Sequence, residues 1–493
     1  MMRLPTILDG LGLILAIFSL AFLGPIWTGV WYDEPGGRLA LAYGVPIAIC
    51  LTLGLGLRAL MHGRYEQIRS GEALVLVALA WMAVAIVSAI PFLGIGVLDS
   101  PVDAFFESMS GFTSTGATVM TGLDDAPKSI LLWRALTQWL GGMGVIVLSV
   151  AVLSRFFGGG AAALIMRAEA AGHTVSRMAP RIAQTARLLW GIYIMFTVAE
   201  IATLLLVGRV VGKEVTLFDA VCHSFATLPG GGFGTHDANV GYWNSPAIET
   251  VLAIFMLAGA TSFLLHYRAL HLDWRAYFRD PEFRFWMMVI ILAIVFVTGD
   301  LAVRSIYTVD ESFRYSAFNV VSLITTTGFT NVDYNLWPAS SQLVLLSLIV
   351  MGSMMGSTSG ALKMTRVMIM LKSVRVLVSK LLHPHAVVRV KLGNVVITDE
   401  HVANTGTYVL LYLATLFIGT VLVSLAGVDI VTSLGSAVTC LGTTGPGLGI
   451  TGPATTFAAL PAFSKFVLTF LMWFGRLEIL GCLLLFNPSL VKD

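Results

Sequence analysis

Four short stretches rich in glycine and threonine decide the fold of this chain: GFTSTGATV (111–119), LPGGGFGTH (228–236), ITTTGFTNV (324–332) and LGTTGPGLG (441–449). We call them loops one to four. Each contains one central glycine on which the four align, and these are Gly116, Gly232, Gly328 and Gly445. Their separations of 116, 96 and 117 residues indicate an internal repeat that is long enough for two spanning helices and a loop.

The composition around these loops is typical of a membrane protein. Among the 493 residues, 57% are hydrophobic and 12% are charged, whereas about 25% of the residues in a soluble domain are charged. A spanning helix needs roughly 20 mostly apolar residues. The hydropathy pattern predicts ten spans, the eighth with an interruption: 10–32, 39–57, 73–98, 135–153, 188–208, 250–265, 285–300, 342–371, 408–427 and 466–486.

The basic residues lie mostly in alternate connections between these spans. Of the 30 lysines and arginines, 19 follow even-numbered spans, among them Lys363 and Arg366, and eight lie on the other side. The positive-inside rule therefore predicts that both termini are cytoplasmic. The same basic loops favour contact with anionic membrane lipid.

Each of the four loops follows a short apolar segment and precedes a span. We predict short helices at 104–113, 219–227, 315–324 and 431–440, with Asp103, Asp219 and Thr432 as N-caps. Non-helical backbone at membrane depth is tolerated only where protein buries it or where it lines a water-filled path. Ordinary glycine-rich external turns are the alternative interpretation, but it does not account for four loops at equivalent places between spans.

Together the loops predict a site for a dehydrated cation. Rings of backbone carbonyls can replace the water around an ion, and glycine permits the φ values that point successive carbonyls the same way. Threonine adds a hydroxyl acceptor, and the C-terminal ends of the short helices carry partial negative charge. The predicted binding residues are Thr115, Gly116, Gly231, Gly232, Thr327, Gly328, Thr444 and Gly445.

Span eight contains the stretch GSMMGSTSGALK (352–363), which we call the break segment. Its glycine, serine and threonine residues sustain a helix poorly. We interpret it as a flexible gate beneath the loops, with Gly352, Gly356 and Gly360 as gate residues. A small-residue site for helix packing is the alternative.

Several polar residues lie deep in the predicted spans or beside the loops. Arg476 in span ten is interpreted as a further gate residue at a constriction, or alternatively as half of a structural ion pair. Glu478 faces elsewhere on the helix and is a poor partner for Arg476, so we expect it, like Glu200, to pair structurally. His236 is predicted to lie at the outer opening of the ion pathway, without a chemical role. Four residues, each nine positions before a central glycine, are predicted to hold the loop backbone, or alternatively to bind water or ions: Glu107, His223, Asn319 and Ser436.

The fourfold pattern with its degenerate T-x-G loops resembles the Trk/Ktr/HKT superfamily of potassium transporters over nearly the whole chain. Three stretches resemble the TrkH branch in particular: GGFGTHDANVGYW (231–243), the break segment and FGRLEIL (474–480). The resemblance implies an all-α membrane protein with four pseudo-symmetric helix–pore-loop–helix repeats around a single pore. Two extra transmembrane helices at the N-terminus form a domain of their own (1–66), and the repeats are 67–160, 161–275, 276–385 and 386–493.

The resemblance also implies a function and partners. It implies potassium uptake across a bacterial inner membrane. In the plant branch of the superfamily a serine at the first loop position accompanies sodium selectivity, so the glycine at this position, Gly116, implies selectivity for potassium. Potassium would be the substrate, and the chain would need no cofactor. The implied partners are a ring of cytosolic TrkA-type nucleotide-binding subunits, a second copy of the chain and membrane lipid, with no nucleic acid.

Other functions fit the sequence less well. The alternatives are a KdpA-like subunit of a potassium-pumping ATPase, which shares four pore loops, and a broken-helix solute symporter, whose class has twofold repeats. An enzyme is not expected, because the sequence contains no P-loop, nucleophile motif or metal cluster. The four cysteines lie in apolar stretches and predict no disulfides: Cys50, Cys222, Cys440 and Cys482.

Overall fold

The structure, a computed structural model, describes residues 3–61, 70–148, 178–385, 387–393 and 395–486. These residues are mostly helical, and they include one small antiparallel sheet in which Lys391–Leu392 pairs with Val395–Val396. The predicted all-α class is therefore confirmed. The four cysteines are buried and free, as predicted.

Long apolar helices identify the chain as a multi-pass membrane protein. Six helices in the described ranges are long and apolar enough to cross a bilayer, and they correspond to predicted spans one, two, three, five, seven and nine: Leu4–Trp31, Gly36–Met61, Gly71–Ile95, Ala186–Val210, Pro281–Val303 and Asp399–Ser424. Predicted span four is the helix Lys128–Leu148. Span five belongs to a longer helix, Met178–Val210.

Three predicted spans are interrupted. Span six, predicted over 250–265, is the helix Pro246–Ala260, which turns by 101° into Phe263–Leu270. Span eight divides into Ala339–Met351 and Met364–Leu382 around the break segment, as predicted.

Span ten is the third interrupted span. It was predicted as one helix over 466–486, but its helix Ala462–Arg476 stops at a turn before Leu480–Leu483. Glu478 and Ile479 in this turn have φ values of 56° and 51°, a left-handed conformation that interrupts a right-handed helix.

Four short helices precede the four loops: Pro101–Phe112, Leu217–Thr227, Val309–Ile324 and Ile430–Gly442. Their N-caps are Ser100, Thr216, Thr308 and Asp429, each accepting a hydrogen bond from the amide three residues on. The predicted N-caps Asp103, Asp219 and Thr432 are therefore wrong, because these residues supply that amide and lie at the third helical position.

The short helices are enclosed by the apolar core. One hydrophobic cluster packs the N-terminal spans against the first and last short helices, around Phe106 and Leu441. A second cluster packs spans five to eight against the second and third short helices, around Ala226 and Leu323. The predicted domain boundaries near 66 and 160 lie outside the described residues, and the division into five domains stays a prediction.

Candidate functional site

Each short helix ends in the same backbone motif. In loop one, the amides of Ser114 and Thr115 donate to the carbonyl oxygens of Gly111 and Ser110, at 2.9 and 2.8 Å. Equivalent pairs of hydrogen bonds end the other three helices, from the amides of Gly230 and Gly231, Thr326 and Thr327, and Thr443 and Thr444. This is a Schellman motif, which requires one left-handed residue, and Gly230 is that residue in loop two. The repetition aligns Gly231 with Thr115, and Gly232 with Gly116.

The four central glycines lie against one another's loops. Their φ values lie between 75° and 103°, a region that favours glycine. A Cβ atom on any of them would come within 2.8 Å of the next loop's carbonyl oxygen, and the four contacts are Gly116 to Gly231 (2.0 Å), Gly232 to Thr327 (2.1 Å), Gly328 to Thr444 (1.7 Å) and Gly445 to Thr115 (2.8 Å). The order is one to two, two to three, three to four and four to one. The loops therefore form a closed ring, which brings all eight predicted binding residues together.

The ring has an open side and a covered side. On the open side lies a cavity of about 610 Å³ whose lining includes all four central glycines. We call this cavity the mouth. The break segment covers the opposite side, and its residues Ser353, Thr358 and Ser359 are at most 2% exposed.

The break segment contacts three of the loops directly. The Thr358 hydroxyl donates to the carbonyl oxygen of Leu228 at 2.7 Å, and the Ser359 hydroxyl donates to that of Thr325 at 2.8 Å. The amide of Gly360 donates to the Thr326 hydroxyl at 3.2 Å. A Cβ on Gly360 would lie 1.9 Å from the hydroxyl oxygen of Thr443, in loop four. Loops two, three and four are thus all in contact with this segment.

Arg476 makes the corresponding contact with loop one. Its guanidinium donates to the Ser114 hydroxyl at 3.1 Å and to the carbonyl oxygens of Gly141 and Thr358, at 3.2 and 2.7 Å. The side chain is 3% exposed. In the described residues its hydrogen-bond partners are neutral oxygens, so the alternative of a structural ion pair does not describe it.

The sequence of the chain matches a known family of transport proteins. The family model for TrkH, described as a cation transport protein, matches residues 45–492. The chain belongs to the TrkH family. It is 36% identical over 497 residues to the Trk system potassium uptake protein TrkH of Halomonas elongata, and the match covers 99% of both chains. It is 36% identical over 493 residues to the protein of that name from Escherichia coli, with 98% of each chain covered.

A solved structure agrees with the TrkH-family assignment. The crystal structure of the potassium transporter TrkH from Vibrio parahaemolyticus matches the chain with a TM-score of 0.90 and 32% identity, and the match covers 100% of both chains. The resemblance inferred from the sequence is therefore confirmed.

In this TrkH-family chain the break segment is anchored by buried charged residues. Glu282 accepts hydrogen bonds from the amides of Met355 and Thr365, both at 2.9 Å, and so holds the segment near both ends. The ammonium of Lys363 donates to the carbonyl oxygen of Ser359. Lys363 and Arg366 were predicted to be charges of a cytoplasmic loop, and this prediction is wrong because their side chains are only 6% and 1% exposed.

The two deep glutamates differ. Glu478 pairs with Arg366, as the prediction of structural pairing requires. Glu200 is 0% exposed, and neither of its carboxyl oxygens has a hydrogen-bond partner in the described residues. The structural pairing expected for Glu200 therefore stays a prediction.

The four residues nine positions before the central glycines have different hydrogen-bond partners. Glu107 accepts from the amide of Val119 at 2.8 Å and so holds loop one. Asn319 donates to Asn331 at 2.7 Å, and Ser436 lies 3.0 Å from the Thr451 hydroxyl. His223 instead makes its hydrogen bond to the carbonyl oxygen of Asp219 in its own helix, so it does not hold loop two.

Two residues of span four were missed by sequence reasoning. Arg134 is one of the eight basic residues assigned from the sequence to the external side, yet it is 1% exposed and donates to Glu107 at 2.9 Å and to the carbonyl oxygen of Gly234 at 3.1 Å. Gln138, one turn further, also reaches loop two. Two polar residues on one face of an apolar helix are a signal that could have found them.

His236 lines the mouth and contacts an aspartate, Asp124. The ring nitrogen Nδ1 of His236 lies 2.5 Å from a carboxylate oxygen of Asp124, and this hydrogen bond lowers the pKa of Asp124. Asp124 follows loop one and His236 is the last residue of loop two, so the contact joins the exits of loops one and two. The lack of a chemical role predicted for His236 is untested.

Proposed function

We propose that this TrkH-family chain takes up potassium across the bacterial inner membrane through the ring of four loops. The observation that carries the proposal is the closed ring itself, in which each central glycine lies against the carbonyl of the next loop. Glycine-rich backbone in such a ring suits a dehydrated cation. The proposed potassium ligands come from the eight ring residues of loops one to four. The proposal assigns no catalytic residue and no cofactor to this chain, and potassium is the substrate.

The break segment and Arg476 are the proposed gate. The segment contacts loops two, three and four, and Arg476 contacts loop one. A potassium ion leaving the ring on this side meets packed protein and the positive charge of a buried guanidinium. Gly352, Gly356 and Gly360 are the proposed points of flexibility. Gly352 and Gly356 support this role, because their φ values of 68° and 79° favour glycine.

A cytosolic TrkA-type ring is the proposed source of control. Helix Met364–Leu382 begins directly after the break segment, and it carries the half-buried Lys372 and the exposed Arg375 and Lys380. Lys372 donates to the carbonyl oxygen of Lys391 in the small sheet at 2.7 Å. A partner that moves this basic surface would therefore move the break segment, which supports the proposal.

The proposed assembly is a homodimer with both termini in the cytoplasm. The basic residues that follow even-numbered spans support this orientation. Light scattering of the purified chain in mild detergent should give the mass of two chains, whereas the mass of one chain would count against the dimer.

The test of the proposed function is flux of rubidium, a potassium substitute, into proteoliposomes that contain the purified chain. We expect uptake that potassium inhibits better than sodium. Imposed sodium or proton gradients then distinguish coupled from passive transport. Uptake that needs an ATP-hydrolysing partner would favour a KdpA-like subunit, and the absence of rubidium uptake by the folded protein would overturn the proposal.

A further inference from the structure

We infer that Gln138 is a positioning residue that determines ion specificity, because it replaces in loop two the threonine side chain that the other loops supply themselves. The inference rests on the proposed function and names a residue outside the four loops. Gln138 lies on helix Lys128–Leu148 and is 0% exposed.

The amide of Gln138 brackets the central glycine of loop two. Its Nε2 donates to the carbonyl oxygen of Gly231 at 2.7 Å, and its Oε1 accepts from the amide of Phe233 at 3.2 Å. A backbone carbonyl can only accept and a backbone amide can only donate, so these two partners determine the orientation of the side-chain amide. Gly232 lies between the two bonded residues.

The side chain of Gln138 fills the space that a side chain at position 231 would occupy. Gly231 aligns with Thr115, Thr327 and Thr444 in the ring. A Cβ on Gly231 would lie 2.4 Å from the Cδ atom of Gln138. The glutamine therefore occupies the place where a threonine of loop two would stand.

In loops one and three the equivalent threonine is held by a residue of the same loop. The hydroxyls of Thr113 and Thr115 lie 2.7 Å apart, and those of Thr325 and Thr327 lie 2.9 Å apart, so each loop holds its own threonine. Loop two has glycine at 230–232, and glycine has the greatest backbone freedom of any residue. It is the loop with the most to gain from a support outside itself.

The support makes the ring asymmetric. Among the described residues, the carbonyl oxygen of Gly231 receives a hydrogen bond, whereas the equivalent oxygens of Thr115, Thr327 and Thr444 receive none. A donor on one of four equivalent carbonyls limits how that carbonyl can turn towards an ion. Gln138 thus influences the dimensions of the ring at the level where the four loops touch.

The first test replaces Gln138 with methionine, which has similar length but no amide. Rubidium and sodium uptake are measured in proteoliposomes for the wild-type chain and the variant. We expect the rubidium-to-sodium ratio to fall roughly 3- to 10-fold in Gln138→Met, on the scale of one lost hydrogen bond. The matched control is Gln342→Met, because Gln342 donates to the carbonyl oxygens of Asn335 and Trp337 outside the ring.

A rescue experiment separates positioning from general destabilisation. Gly231→Thr alone should reduce rubidium uptake, because its side chain meets Gln138. The double variant Gly231→Thr with Gln138→Ala removes that clash and returns the threonine to its loop. We expect it to recover rubidium preference that Gln138→Ala alone has lost, a coupling that double variants of contacting residues reveal.

The outcomes are distinguishable. A wild-type chain without preference for rubidium over sodium defeats the proposed function itself. A selective wild-type chain with an equally selective Gln138→Met variant overturns this inference alone. If Gln138→Met carries no ions, thermal unfolding of the purified variant in potassium and in sodium decides: loss of the potassium-specific stabilisation supports the inference, and its retention overturns it.

Discussion

The guanidinium of Arg476 donates to the carbonyl oxygen of Thr358 at 2.7 Å, and this hydrogen bond joins span ten to the break segment. The same side chain reaches Ser114 in loop one. A charged group at bilayer depth is costly unless it has partners, and Arg476 finds them in neutral oxygens of two different segments. One side chain thus links the proposed gate to the proposed ring.

Replacing Arg476 with methionine should therefore increase rubidium uptake. The change removes a positive charge from the proposed ion path and the three hydrogen bonds of the guanidinium, and hydrogen bonds to charged groups contribute about 1.5–3 kcal/mol each. We expect an increase on the order of tenfold in proteoliposomes. Arg304→Met is the control, because Arg304 is exposed and pairs with Asp300 in its own helix. Uptake equal to or below that of the wild type in folded protein would contradict the gate.

The break segment can be loosened without touching its backbone. Thr358→Val with Ser359→Ala removes two hydrogen bonds to the carbonyl oxygens of Leu228 and Thr325. At about 1 kcal/mol each, their loss should raise rubidium uptake several-fold. Shortening 352–360 should raise it further and reduce dependence on any partner. Ser347→Ala is the control, because that hydroxyl donates within its own helix. No change in uptake would mean that the segment is not a barrier.

Arg366 and Glu478 form a partly buried ion pair, with side chains 2% and 22% exposed, that should behave as a latch. The Arg366 guanidinium also lies 4.0 Å from the centre of the Tyr408 ring, and Glu478 belongs to the turn that interrupts span ten. Removing one partner of a fully buried pair costs about 3–5 kcal/mol, and the partial exposure of Glu478 makes the cost here smaller, whereas replacing both partners with apolar residues costs much less. We expect Glu478→Gln to lower the thermal unfolding temperature and to raise rubidium uptake.

The double variant Arg366→Met with Glu478→Leu tests the latch. It should recover most of the thermal stability that Glu478→Gln loses, while rubidium uptake stays high, because the ionic link between span ten and helix Met364–Leu382 is still absent. Stability losses that simply add would show that the two residues act independently.

Gly116→Ser should weaken the preference for potassium over sodium. A serine Cβ would lie 2.0 Å from the carbonyl oxygen of Gly231 and would displace loop two. Gly96→Ser is a close control, since both glycines have a φ of 83° but a Cβ on Gly96 meets nothing within 4 Å. The control carries the same backbone strain without the clash. Uptake ratios for rubidium and sodium that are alike in Gly116→Ser and the wild type would contradict the ring as the selectivity site.

Local sequence patterns predicted much of this architecture. Hydropathy predicted the spans, and the glycine and serine residues of 352–363 predicted the interruption of span eight. The four central glycines gave the correct alignment of the loops. These features are readable because each depends on residue types within one short stretch. The N-caps were misplaced by three residues because a cap and the residue whose amide it binds are both polar.

Features that depend on distant contacts were not predictable. Gln138 and Gly231 are 93 positions apart, and Arg366 and Glu478 are 112 apart, so no local pattern relates them. The turn in span ten contains neither glycine nor proline at its left-handed residues, Glu478 and Ile479. Such a conformation in ordinary residues persists only where the surrounding structure enforces it.

Nucleotide control should require a separate cytosolic ring. Helix Met364–Leu382 begins directly after the break segment and carries Lys372, Arg375 and Lys380, so a partner that binds these residues would act on the proposed gate through one helix. We expect ATP or NADH to leave rubidium uptake by the purified chain unchanged and to alter it once the ring is added. Charge reversal at Lys372, Arg375 and Lys380 should abolish the effect of the ring without changing uptake by the chain alone. Lys213→Glu is the control, because Lys213 is exposed in a connection on the other predicted side of the membrane. A nucleotide response from the chain alone would refute this division of labour, and a ring that still acts on the charge-reversed chain would show that it docks elsewhere.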